Sequence, residues 1–139
     1  MAEPDTIPVS ASIASTGKGI RYVENWAYAY SGKITVADSE VTLLEFDTQT
    51  GLVKMRWEWN YTSTSDTIST DDFTFRCYLN DLLITAVVSS VSDRFNEATK
   101  YKMFLVPPLT AVKITAENMN TSSNNYCYSS ITGRVYGEA

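Results

Sequence analysis

The sequence predicts an all-β chain, an antiparallel β-sandwich of jelly-roll-like form with about eight strands. Three observations carry that expectation. Along residues 52–61, Val53, Met55, Trp57, Trp59 and Tyr61 alternate with Lys54, Arg56, Glu58 and Asn60, the period of a pleated strand with one buried side. Turn-forming residues recur about every 8 to 15 positions, with no helical periodicity between them. Aromatic residues make up 12% of the 139, a share that favours half-buried sheet surface.

Taken in order, residues 1–19 are rich in Ala, Ser, Thr, Pro and Gly and form an extended arm or a flexible terminus. Ile7, Pro8, Val9 and Ile13 are its candidate assembly contacts. Residues 20–139 are expected to make one sandwich domain. Residues 22–36 read as two strands or one bent strand, with Trp26, Tyr28 and Tyr30 on one face and a break at Ser31-Gly32. Residues 41–61 read as a hairpin turning through 47–51, where Gly51 supplies a positive φ; pairing Phe46 with Val53 would set Glu45 opposite Lys54.

A long polar loop is expected at 62–71, where binding residues often reside. Phe73, Phe75, Cys77 and Leu79 alternate inward on the next strand, and Asn80-Asp81 makes a two-residue turn. The nearly unbroken apolar run 82–88 reads as a strand covered on both faces or lying mid-sandwich. Residues 89–100 are polar, with one helical turn expected at 93–99. A strand at 101–106 must end at Pro107-Pro108, since neither proline donates to a ladder. The immediate restart at 109–118, with Val112, Ile114 and Ala116 inward, places a sheet-to-sheet corner there. After a polar loop at 119–125, the last strand turns Cys127, Ile131 and Val135 inward, with Gly133 as a bulge or close-approach site.

Net charge −5 and a pI near 4.6 oppose nucleic-acid binding, and no run of Lys or Arg overrides them locally. The opening residues lack the basic and apolar regions of a secretory signal, so synthesis and residence in a cytoplasm are expected. The longest apolar run falls far short of the roughly 20 residues that span a bilayer, so no membrane segment is expected. Cys77 and Cys127 fall on sides expected to be buried and are read as reduced.

The sequence contains no histidine, which removes Ser-His-Asp and Cys-His catalysis and His-ligated zinc. Gly17-Lys18-Gly19 lacks the flanking strand and helix of a phosphate loop, and neither cofactor nor metal is expected. Three weaker constellations remain. Glu45 and Glu58 are the carboxylates to weigh for glycoside hydrolysis, and Asp66, Asp71 and Asp72 those for a calcium ion. Trp57 and Trp59, with Trp26 and Tyr28, form stripes that serve either as core or as a sugar-stacking platform. The sequons at 60–62 and 120–122 are read as chance matches in the absence of a secretory signal.

The segments TLLEF, DDFTFRCYLN, FLVPPLTAVKITAEN and ITGRVYG together resemble the small all-β virion accessory proteins of tailed phages, marine ones in particular. These serve as capsid decoration, knob or fibre components, and the resemblance spans residues 19–137. It implies a non-enzymatic structural protein of the virion, assembled in the host cytoplasm as a homo-oligomer, most simply a trimer. It also implies contacts with the major capsid protein or other virion proteins; the arm 1–19 and the loops 62–71 and 89–100 have no counterpart in that resemblance, and the reading built on it takes the arm as anchor and the loops as facing outward. The alternative is a carbohydrate-binding module using Trp57, Trp59, Trp26 and Tyr28.

Overall fold

The computed structural model describes residues 19–62, 72–90, 100–118 and 125–137. The expectations for Ile7, Pro8, Val9 and Ile13, for a helical turn at 93–99 and for the loop side chains between 63 and 71 lie outside the described residues. Ten strands are formed: β1 (Arg21–Val23), β2 (Trp26–Tyr30), β3 (Ile34–Val36), β4 (Val41–Asp47), β5 (Leu52–Thr62), β6 (Asp72–Leu79), β7 (Leu82–Ser90), β8 (Tyr101–Val106), β9 (Ala111–Asn118) and β10 (Asn125–Tyr136). The six-stranded sheet runs β1-β2-β10-β5-β8, with β3 also on β10, and the four-stranded sheet runs β4-β9-β6-β7.

Every ladder is antiparallel, and four of them nest: β2 with β10, β4 with β9, β5 with β8, and β6 with β7. Eight strands thus pair as one long folded hairpin. Rolling that hairpin up brings β10 beside β5 and β9 beside β6, which is jelly-roll topology. The expected sandwich is present, with β1 and β3 added around its rim.

The expected hairpin at 41–61 is not. β4 and β5 lie in different sheets, so Phe46 pairs with Val112 and Val53 with Val135 and Val106. The connection is a corner, built beside the corner at 107–110. Thr48 N donates to Thr110 O at 2.9 Å, Thr110 N donates to Thr48 Oγ1 at 2.9 Å, and that hydroxyl donates to Pro107 O at 2.9 Å. The two crossovers satisfy each other's backbone, so neither needs a hairpin partner. Gly51 is required by space rather than by φ: a Cβ there would lie 2.6 Å from Val135 Cγ1 and 3.0 Å from Tyr136 O. The crossing expected at Pro107-Pro108 is found, with β8 and β9 in opposite sheets.

Other local expectations hold. Asn80 and Asp81 take φ of 52° and 66°, the two positive values of a tight hairpin turn between β6 and β7. Ser31-Gly32 interrupts β2 and β3, and Gly32 adopts φ 72°. Across that gap Ser129 N donates to Ser31 Oγ at 2.9 Å and Ser31 N to Ser129 O at 3.0 Å, so a side chain keeps the break tied to β10.

The core lies between the sheets. Trp57, Phe73 and Phe75 are among its largest fully enclosed side chains. Trp59 meets Phe75 with ring centroids 6.3 Å apart and Tyr61 stacks on Phe73 at 4.7 Å, joining the two sheets. Trp57 Nε1 donates to Ser129 Oγ at 2.8 Å, which in turn donates to Glu58 O at 2.9 Å, so the one polar atom of the buried indole is answered. Cys77 and Cys127 are free and buried, and desolvation pushes each thiol up to about 12.

Candidate functional site

Three surfaces result from where the alternation leaves its outward residues. On β2, Ala27 and Ala29 point into the core, and Trp26, Tyr28 and Tyr30 point out, the least exposed of them at 41%. Register carries their rows across the six-stranded sheet. Trp26 lies beside Arg134, and Arg134 beside Lys54. Tyr28 lies beside Thr132, Arg56 and Met103, and Tyr30 beside Ser130, Glu58 and Tyr101. Arg21 of β1 adjoins Tyr28 from the other side.

Guanidinium groups lie over these rings. Arg134 is 5.1 Å from the Trp26 centroid and 5.6 Å from that of Tyr136, and Arg56 is 3.9 Å from that of Tyr101. Arg56 Nε also donates to Glu58 Oε2 at 2.7 Å. Among the described residues, Arg21, Lys54 and Arg134 have no carboxylate partner. A groove of about 420 Å³ runs between β1, β2 and β10, lined by Gly19, Arg21, Tyr28, Tyr30, Ser130 and Thr132.

The outer face of the four-stranded sheet has a different chemistry. Arg76 Nη1 donates to Glu117 Oε1 at 2.9 Å and lies 3.8 Å from Glu40. Glu40 accepts hydrogen bonds from Thr115 and Tyr78. Those bonds, the Thr115 one foremost, together with the cations Arg76 and Lys113, hold the Glu40 carboxyl below its usual range against the opposing effect of burial.

The third surface is the flank where β7 and β8, the ends of their sheets, run side by side; Lys102 Nζ donates across the opening to Thr85 Oγ1 at 3.0 Å. The apolar run of β7 is therefore an edge, not a strand covered on both faces. Leu82, Leu83, Ile84 and Val88 of β7 and Leu109 at the corner are exposed along it, while the exposed Met103 and Leu105 of β8 lie on the outer face of the six-stranded sheet beside Arg56 and Lys54.

Of the residues singled out in the sequence, Trp57 and Trp59 are buried in the core, with centroids 4.7 Å apart, and have no ring face open to a sugar. Trp26 and Tyr28 are exposed on the platform just described. Glu45 lies opposite Lys113 on the outer face of the four-stranded sheet, and Glu58 on that of the six-stranded sheet, so they cannot flank one glycosidic bond. Asp66 and Asp71 lie outside the described residues, and Asp72 opens β6. The described residues hold no cluster of three or more metal-ligating acids, Cys or His, and no helix among them is long and apolar enough to cross a membrane.

Sequence reasoning missed Arg134, Arg21 and the apolar flank. The alternation that sends Ile131 and Val135 inward already sent Arg134 and Tyr136 outward. Nothing local revealed that β10 would lie beside β2. No protein-family model matches the chain, and no curated protein does.

Proposed function

We propose that this chain is a non-enzymatic structural subunit of a phage particle, a capsid decoration, knob or head-fibre component, which assembles as a homo-oligomer through its β7/β8 flank. The observation that carries the assembly is an apolar sheet edge that no described strand covers. Proteins that stay monomeric blunt a sheet edge with charge, proline or a cover. The segment LLITAVVSS of β7 holds no charge and no proline, and the one charged side chain of β8, Lys102, is engaged with Thr85.

A second copy of the chain is the occupant that fits. An uncharged flank meets its own image without repulsion, and three copies about one axis would each turn the same flank inward. The mode is side-chain packing rather than strand addition, because the β6/β7 register shifts between Cys77 and Tyr78 and leaves Ile84 unpaired, bending the edge. The phage particle rests on the likeness of the four segments quoted above and on the jelly roll, a fold used in viral capsids.

Sedimentation equilibrium tests the assembly. The protein should sediment as a trimer, and the double variant Leu83→Lys, Val88→Lys should sediment as a monomer with an unchanged circular dichroism spectrum. A monomeric wild-type protein, or a variant that stays oligomeric, would overturn the interface. Deleting residues 1–19 should abolish incorporation into particles while leaving the sandwich folded; normal incorporation would remove the arm's role as anchor.

A further inference from the structure

We infer that the outer face of the six-stranded sheet is a binding site for an acidic glycan, a polysaccharide with carboxylates spaced along a chain of sugar rings. The site is the platform of Trp26, Tyr28 and Tyr30 together with Arg134, Arg21 and the groove beside them. This goes beyond assembly, since the platform and the apolar flank take different partners.

Three aromatic side chains project from the outer side of one strand at every second residue, roughly 6.8 Å apart along it. Each is at least 41% exposed, on a sheet face over which the described residues form no second layer. Aromatic rings along one strand offer a run of apolar surfaces on which the C–H faces of pyranose rings can stack. Between them Ser130 and Thr132 line the groove with hydroxyls that both donate and accept, as sugar hydroxyls require.

The chain as a whole carries −5, yet the strand positions of this face carry Arg21, Lys54, Arg56 and Arg134 against Glu58 alone. Glu58 is already engaged by Arg56, which leaves three cations without a carboxylate among the described residues. Arg134 lies over both the Trp26 and Tyr136 rings, which sets its planar donors where a carboxylate beside a stacked sugar would meet them. A neutral glycan would leave these cations unanswered. A nucleic acid brings a phosphate at every nucleotide against a chain that is acidic elsewhere, so sparse charge on a saccharide fits better.

Isothermal titration of the full chain at low salt with hyaluronate, whose carboxylates fall on alternate sugars, with neutral dextran and with oligo-dT tests the site. Hyaluronate should bind, dextran should bind at least about tenfold more weakly, and oligo-dT should bind more weakly than hyaluronate. Trp26→Ala and Arg134→Gln should each weaken hyaluronate about tenfold, while Glu45→Gln on the opposite sheet should leave it unchanged. Trp57 and Trp59 are buried, so a ligand-induced change in tryptophan emission should vanish in Trp26→Phe. Absence of hyaluronate binding, equal affinity for dextran, tighter binding of oligo-dT, or full affinity in both weakened variants would each overturn the inference. Sedimentation of the same variants as wild type keeps this result separate from that on assembly.

Discussion

The two sheets carry the same inward-outward alternation to opposite ends on their outer faces. On the four-stranded sheet, Arg76 sits between Glu117 and Glu40, and Glu40 is further held by Thr115 and Tyr78. Charges there answer one another, and the face contributes to the fold. On the six-stranded sheet, Arg134 and Arg21 stand among exposed rings with no carboxylate beside them among the described residues. Among the described residues those donors meet no acid, and this is the face on which the acidic glycan is proposed to bind. Strand alternation alone says which residues face out; cross-strand neighbours decide whether they are already satisfied.

The sharpest way to break this contrast uses two residues of one type on one sheet. Trp57 is fully enclosed, packs against Trp59 at 4.7 Å and edge-on against Phe104 at 6.5 Å, and its indole N–H is bonded to Ser129. Trp57→Ala should destabilise the fold by about 3–5 kcal/mol in urea unfolding. Trp26→Ala, on the outer face of the same sheet, removes a part-exposed ring and its contact with Arg134 and should cost clearly less, about 1 kcal/mol. Comparable losses at both positions would show that the outer face is part of the structural core after all.

How much of this was readable beforehand follows the range of the interactions. Period-two alternation placed β5, β6, β9 and β10 with the right sides inward, and Pro107-Pro108 correctly marked a change of sheet. The segment at 47–51 misled because turn chemistry reports that the chain bends, not which strand it meets next. Thr48 finds its partners at Pro107 and Thr110, far along the sequence. The β7 run misled for a related reason: Leu82, Leu83, Ile84 and Val88 look the same in sequence whether the cover is a second layer of the same chain or another molecule. For the platform, Trp26, Tyr28 and Tyr30 were legible as one face, whereas the cations that complete it come from β1, β5 and β10, whose adjacency only the rolled topology supplies.

A smaller effect tests how closely the six-stranded sheet is built behind its open face. Gly133 lies on the inner side of β10 in unbroken register with Met55 and Ala27, which selects close approach over a bulge. A Cβ there would lie 2.6 Å from Val53 Cγ1, and Val53 is buried and stiff about χ1, so it cannot swing aside cheaply. Gly133→Ala should cost about 1–3 kcal/mol by overpacking. A neutral or stabilising result in thermal unfolding would show that β5 and β10 can part without loss.

The smallest effect belongs to the opposite sheet and separates the two outer faces by pH. Glu40 has its carboxyl pKa lowered, chiefly by the Thr115 hydrogen bond and then by Tyr78, Arg76 and Lys113. A carboxyl held lower in the folded than in the unfolded chain adds stability that is fully present above the unfolded value of 4.5 and is lost as pH falls through the folded one. Its side chain is 37% exposed, so solvent screening limits the contribution to about 0.5 kcal/mol. Glu40→Gln should therefore lower stability slightly at neutral pH, and the difference from wild type should close as the solution is acidified below 4.5. Arg134→Gln removes a cation that has no carboxylate among the described residues, so its small effect on unfolding should stay flat across the same acid range. A difference that closes in Arg134→Gln, or persists in Glu40→Gln, would reverse the assignment of which face is spoken for by the fold and which is open.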